Sequence, residues 1–254
     1  MTANYGNNSI NSWLPATGCG TNRARSYESR RPPPPLPPPP PLCAGRPPPG
    51  GWTGSTRQPC RSTTPSPPRA VSVRVLNCEG AGNSSGIIAG LDWVAKNAKQ
   101  PAVLNGSLGG DVSAVLNAAA DAVTDAGVLP VVAAGNSSKN ACLVSPASAS
   151  KALTIAASNK YDEETDFSNW GECVDLYAPG EEIVSAKLGG GSVAENGTSM
   201  AEPHVTGVAV LYKAANPAAA PEAIVEYLGL NSAKDVLKSI SKSSPNELLF
   251  TNGL

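Results

Sequence analysis

Two spacings of apolar residues alternate along residues 71–254. Largely apolar runs at 71–76, 102–104, 128–134, 152–157 and 174–177 read as strands. Runs of this kind, bounded by turn residues, are what strands buried on both faces require. Between them the spacing changes to three and four. Ile87, Ile88, Leu91, Trp93 and Val94 mark a helix that Ser84-Ser85 can cap. Leu116, Ala119, Ala120 and Val123 mark a second helix from 112 to 126, closed by Gly127 as a left-handed cap. A third helix is expected at 199–215, a shorter one begins at 221–227, and 248–250 reads as a terminal strand. Strand and helix alternating at this distance predict right-handed parallel crossovers, hence an α/β fold with a mostly parallel sheet. Ligands gather at the carboxyl ends of such strands. That directs attention to Ser107-Leu108-Gly109-Gly110 and to Gly135-Asn136, which follow two of them.

The first 70 residues break the pattern. They hold eight Arg against one acid, Glu28, a formal charge of +7, and contain no Lys, Asp, Val or Phe. Residues 71–254 hold 11 basic and 19 acidic side chains, a charge of −8. Prolines crowd 32–35, 37–41 and 47–49. Such a segment cannot bury enough apolar surface to offset its chain entropy, so polyproline II or disorder is expected there. Its composition fits a disordered tail, a proline-rich ligand for aromatic-lined grooves, or a GC-rich gene read out of frame. The chain thus divides into 1–70 and a globular part at 71–254. A net charge near zero gives no reason to expect nucleic acid or an anionic membrane as partner. No apolar run reaches 18 residues, and the first ten residues lack the apolar stretch of a secretory signal.

The densest chemical signal is Asn196-Gly197-Thr198-Ser199-Met200-Ala201-Glu202-Pro203-His204-Val205-Thr206-Gly207. A Gly-Thr turn delivers Ser199 to the start of a helix, beside free backbone N–H groups and the positive end of the helix dipole. An oxyanion forming next to the serine would be stabilised there. Pro203 cannot donate to the Ser199 carbonyl. Taken alone, Ser199 could be a plain helix cap and Asn136 a turn residue.

The twelve-residue string resembles the nucleophile motif of the subtilisin-like serine proteases, in the proteinase K and aqualysin branch. Val73-Arg74-Val75-Leu76-Asn77-Cys78, Ile87-Ile88-Ala89-Gly90-Leu91-Asp92-Trp93-Val94, Ala133-Ala134-Gly135-Asn136, Phe167-Ser168-Asn169-Trp170-Gly171 and Val174-Asp175-Leu176-Tyr177-Ala178-Pro179-Gly180 extend the likeness over about 71–254. The resemblance implies a three-layer α/β/α fold without its N-terminal part. It implies Ser199 as acylating nucleophile and Asn136 as side-chain oxyanion donor. Ser107, Leu108 and Gly109 would form the edge that pairs with an extended peptide, and Ala133, Ala134 and Gly135 a wall of the specificity pocket. It further implies a Cys142–Cys173 disulfide, Cys78 as half of another, and a monomeric extracellular enzyme acting on peptides or proteins without a cofactor in its chemistry. Asp175 matches a calcium ligand, with the carbonyls of Ser150 and Ala152 as partners; its other reading is a strand-edge Asp capping a turn. Glu202 departs from the family, which has a small residue or Thr there.

A serine needs a base within hydrogen-bond reach. In this family Asp and His precede Ser along the chain, yet residues 1–70 contain neither. The one histidine, His204, lies five residues beyond Ser199 on the same helix, rotated ~140° and displaced ~7.5 Å. The expectation is a subtilisin-like endopeptidase, inactive in this chain. The alternatives are a non-catalytic relative that binds peptides or proteins, and an interaction protein built on the proline tract.

Overall fold

The structure, a computed structural model, describes residues 71–251 apart from 188 and 242, and assigns two-residue strands at Thr2–Ala3 and Ser26–Tyr27. The expectation of disorder for 1–70, and Cys19, Cys43 and Cys60, otherwise lie outside the described residues.

Six strands form the central sheet: β1 (Val103–Gly106), β2 (Leu129–Ala133), β3 (Leu153–Ser158), β4 (Leu176–Pro179), β5 (Ala233–Lys234) and β6 (Glu247–Leu248). Their spatial order is β5-β6-β4-β3-β2-β1. All neighbouring pairs are parallel except β5 with β6. The largely apolar runs explain the middle of this sheet, since every residue of β2 and β3 is buried.

Successive side chains of a strand point to opposite faces, and both faces are covered. On one, Leu129, Val131, Leu153, Ile155, Ala157, Leu176 and Ala178 meet two helices, α3 (Thr198–Ala215) and α4 (Pro221–Asn231). On the other, α1 (Ser84–Asn97) and α2 (Ala114–Asp125) pack on each other, burying Ile87, Leu91, Leu116, Ala120 and Val123 against Val128 and Leu104. This is the expected three-layer α/β/α arrangement. Gly127 has φ +84° and follows α2, as its left-handed cap requires.

Several expected elements change. The run at 71–76 yields only the strand Ser72–Val73, outside the central sheet. Val73 and Val75 instead pack on α1, where Gly90 leaves room: a Cβ there would lie 2.4 Å from Val75 Cγ1. Asn77 then turns the chain, its side-chain oxygen accepting from the Glu79 and Ala81 N–H groups. The N-cap of α1 is Asn83 rather than Ser84-Ser85, and it makes no side-chain capping bond. The helix expected from 112 starts at Ala114, because Ser113 accepts from the Leu116 N–H and so becomes the cap. A hairpin, Ile183–Ala186 with Ser192–Glu195, went unforeseen; its residues alternate between half-buried and exposed and form no apolar run.

Cys142 and Cys173 are bonded, with Cα atoms 5.3 Å apart, and Cys78 is disulfide-bonded as well. The Cys142–Cys173 bridge closes a loop of 31 residues, for which chain entropy gives a stabilisation of about 3–4 kcal/mol. Replacing both cysteines with Ala should lower the unfolding free energy by about that amount in urea titration. A loss below about 1 kcal/mol would show that the bridge constrains little.

Candidate active site

The carboxyl ends of β1, β2 and β4 come together at the N-terminus of α3. Gly180, just past β4, donates to the Ser158 carbonyl and accepts from the Gly197 N–H at 2.8 Å. A Cβ on Gly180 would lie 2.6 Å from Ala157 Cβ and 2.8 Å from the Gly197 carbonyl, so only glycine lets helix and sheet approach this closely.

Past β2 the chain turns at Gly135, with φ +104°, where a Cβ would lie 2.4 Å from Asn169 Nδ2. The buried Asn169 holds this turn: Nδ2 donates to the Ala134 carbonyl at 2.8 Å, and Oδ1 accepts from the Ser137 and Lys139 N–H groups. Asn136 then projects toward α3. Its Oδ1 accepts from both the N–H and the hydroxyl of buried Thr198, each at 2.8 Å, and the Gly135 N–H donates to that same hydroxyl. A backbone N–H can only donate, so the atom facing it is the amide oxygen, and Nδ2 is turned away. An added Cβ on Gly197 would sit 3.3 Å from Asn136 Nδ2 and 3.6 Å from the Ser199 N. Two N–H donors therefore border the space that the missing Gly197 side chain leaves open, beside Ser199.

Ser199 is half-buried in the first turn of α3. Among the described residues none hydrogen-bonds its hydroxyl. His204 is exposed and donates from Nδ1 to the Met200 carbonyl at 2.8 Å, as an outer residue of the helix would.

Ser107 and Gly109 are buried and Leu108 is half-buried at the end of β1. Gly110–Asp111 pairs antiparallel with Val144–Ser145. The structure ties this edge to the turn that carries Ser199: Ser107 Oγ lies 3.2 Å from the Ser199 carbonyl and 2.6 Å from Glu202 Oε2. Ala133 and Ala134 are buried at the end of β2, where the Ala134 N–H donates to the Ile155 carbonyl. Asp175 lies apart, at the amino end of the sheet. Its Oδ2 accepts from the Thr154 N–H at 2.7 Å, and its own N–H donates to the Thr154 carbonyl. Desolvation of the carboxyl is the main cause that pushes its pKa up to about 6; the Thr154 bond opposes this and Glu247 adds to it. The residue is solvent-exposed, and water works against that push.

Sequence reasoning assigned no role to Thr198 or Asn169, although both stand in strings that carried the resemblance. Their signal was a short polar side chain next to a glycine for Thr198 and two residues before one for Asn169. Nor did it foresee that Glu202 would be wholly buried.

The chain matches the Subtilase family over residues 69–252. The chain belongs to this family. It is 46% identical over 181 residues to an extracellular serine proteinase of a Thermus species, a stretch covering 70% of this chain and 44% of that protein. It is 45% identical over 181 residues to alkaline serine exoprotease A of Vibrio alginolyticus, covering 71% of this chain and 34% of that protein. The crystal structure of a cold-adapted subtilisin-like serine proteinase superposes with a TM-score of 0.67 at 43% identity, covering 70% of this chain and 65% of that one. This subtilase chain thus spans less than half the length of these two curated relatives.

Glu202 titrates unusually for a carboxylate. Burial pushes it from 4.5 up to about 7, although Ser107, Thr206 and the Gly106 N–H all favour its charged form. The folded state therefore holds a proton that the unfolded chain releases. Stability is full below about pH 4.5, falls as pH rises, and levels off above about pH 7. The span corresponds to roughly 3 kcal/mol. Urea unfolding at pH 5 and pH 8 should show this loss, and Glu202→Gln should remove most of it. An equal slope in the variant would place the titration elsewhere.

Proposed function

We propose that the chain carries the acyl-transfer half of a serine endopeptidase site, with an extended peptide or protein segment as its ligand. The peptide lies along 107–109 by strand addition, with Ala133, Ala134 and Gly135 as a wall of the pocket for the side chain before the scissile bond. Ser199 Oγ attacks the carbonyl, while Asn136 Nδ2 and the Ser199 N–H hold the oxyanion. One observation carries this reading. Thr198 occupies the oxygen of Asn136, so the amide nitrogen and the Ser199 N–H are both left to donate around the space at Gly197.

General-base help is the missing part. The sequence contains one histidine, and it lies on the outer side of the helix. Subtilisin-type sites without base and orienter keep ~10³–10⁴-fold catalysis over water from oxyanion binding and positioning. Hydrolysis of a blocked tetrapeptide amide should stay at or below that level. Asn136→Ala should lower the remaining rate by about 10²–10³-fold. Turnover of 1 s⁻¹ or faster, the ordinary enzyme range, would show that a base exists after all. The absence of that base favours a second reading, a peptide-binding relative. In that case Ser199→Ala keeps the tetrapeptide affinity of the parent chain. An extracellular location is supported by the disulfides, which persist in oxidising compartments, and by the name of the Thermus relative.

A structural calcium ion is the companion proposal. Among the described residues no three His, Cys, Asp or Glu side chains gather to hold a metal. A site at Asp175 would have to draw on carbonyl oxygens. Ser150 and Ala152 precede β3, whose Thr154 is bonded to Asp175 on both sides. One carboxylate with carbonyl oxygens is a donor set that calcium accepts. Adding calcium after chelation should raise Tm by several degrees, and Asp175→Asn should abolish the increment. An unchanged Tm in the parent chain would reject the site.

A further inference from the structure

Glu202 is the acid that the proposed chemistry leaves unused, and its surroundings are specific. It lies on the first turns of α3, fully buried, with Thr206 Oγ1 donating to Oε1 and Ser107 Oγ to Oε2, both at 2.6 Å. The Gly106 N–H reaches it as well. Strand β1 therefore presents Gly106, with Ser107 just beyond it, and α3 presents Thr206; all of these are neutral. The nearest titratable groups along α3 face elsewhere. His204 is exposed on the Met200 carbonyl, and Lys213 is bonded to the Ala219 carbonyl.

The Ser107 hydroxyl has one hydrogen and two acceptors in range. One is Glu202 Oε2; the other is the Ser199 carbonyl at 3.2 Å. That carbonyl lacks its ordinary helical donor, because the residue four positions on is Pro203. Asn105 Nδ2 donates to Ser107 Oγ from the remaining side. An ionised carboxylate only accepts, so it claims the Ser107 hydrogen. A protonated carboxyl donates to Ser107 Oγ instead, and the Ser107 hydrogen turns to the Ser199 carbonyl. The proton thus moves a hydrogen bond from the helix interior to the nucleophile turn.

We propose that Glu202 is a positioning residue: through the Ser107 hydroxyl it sets how firmly the peptide-binding edge at 107–109 is tied to the turn that carries Ser199, and with that the affinity for an extended peptide. This rests on the peptide-binding reading of 107–109. Burial that holds the Glu202 pKa near 7 populates both arrangements at neutral pH. The neutral form also removes a negative charge from the first turns of α3, which carry Ser199, so tighter binding belongs to the low-pH side.

The test uses the full chain, labelled with ¹⁵N and ¹³C, and a blocked fluorescent tetrapeptide as probe. Tetrapeptide affinity should fall by about three- to tenfold from pH 6 to pH 8, the size of one net hydrogen bond. The Glu202 carboxyl carbon and the amides of Ser107 and Ser199 should share its midpoint. Glu202→Gln should hold affinity at the low-pH value throughout. If that variant fails to fold, Ser107→Ala serves: the pH dependence of affinity should vanish while the Glu202 carbon still titrates, with its midpoint moved upward because the Ser107 bond favours the charged form. Binding that is flat with pH in the parent chain, or an affinity that keeps the parent's pH dependence in either variant, overturns the proposal. A parent chain that binds no tetrapeptide from pH 5 to pH 9 sinks the peptide-binding reading and the affinity claim with it. The amide titrations then decide separately whether Glu202 couples Ser107 to Ser199.

Discussion

The two hydrogen bonds from Thr198 to the Asn136 oxygen join sheet to helix, and the rest of the site depends on them. Without them the Asn136 amide would rotate freely at an exposed turn. With them, both the orientation of Nδ2 and the start of α3 are fixed. Everything nearby serves that junction. Gly135 adopts a left-handed conformation so that Asn169 can lie against it. Gly180 lets the Gly197 N–H reach its carbonyl. The Cys142–Cys173 bond ties the segment after Asn136 to the one after Asn169, beside the Ala141 N–H that donates to the Trp170 carbonyl. A polar cluster of this kind is worth its desolvation only when every member is satisfied. Here the oxygen of Asn169 takes two donors and its nitrogen one acceptor.

Burying Glu202 is costly for the core, and its neighbours explain how it is tolerated. Three donors surround the carboxylate, and it lies near the positive end of the α3 dipole. Among the described residues no cation offsets its charge, and desolvation outweighs the donors. The position therefore stores a cost that disappears when the group is neutral. Pro203, next in the chain, leaves the Ser199 carbonyl without its helical partner, and Ser107 stands between that carbonyl and the acid.

Much of the fold was legible because its signals are local. The apolar runs of β2 and β3 are buried along their whole length. Gly127 marks the end of α2, and the Gly-Thr-Ser turn opens α3 within one residue of the expected position. What could not be read depends on partners distant in sequence. The run at 71–76 has the composition of a strand, yet Val73 and Val75 are spent on covering α1. The contact of Ser107 with Glu202 spans 95 residues, and that of Asn136 with Thr198 spans 62. A pattern within one segment carries no information about such pairs. The likeness to a family linked Asn136 with Ser199. It was silent on Glu202, where this chain departs from that family.

The oxyanion side of the site and the base side have different structural sources. Ser199, Asn136 and 107–109, to which the proposal gives these roles, lie at the start of α3 and just past the carboxyl ends of β2 and β1, two parallel strands of the central sheet. Their geometry needs no histidine: Thr198 aims Asn136, and Gly197 leaves the space. A base, by contrast, must be delivered to an unbonded Ser199 hydroxyl from another part of a chain whose only histidine sits on the outer side of the helix. Acyl transfer divides unevenly between these parts. Oxyanion donors lower the barrier for any attacking group held in place, whereas proton removal makes a serine hydroxyl an effective nucleophile at neutral pH. On the proposed reading, donors placed in this way would recognise a peptide carbonyl whether or not a base is at hand.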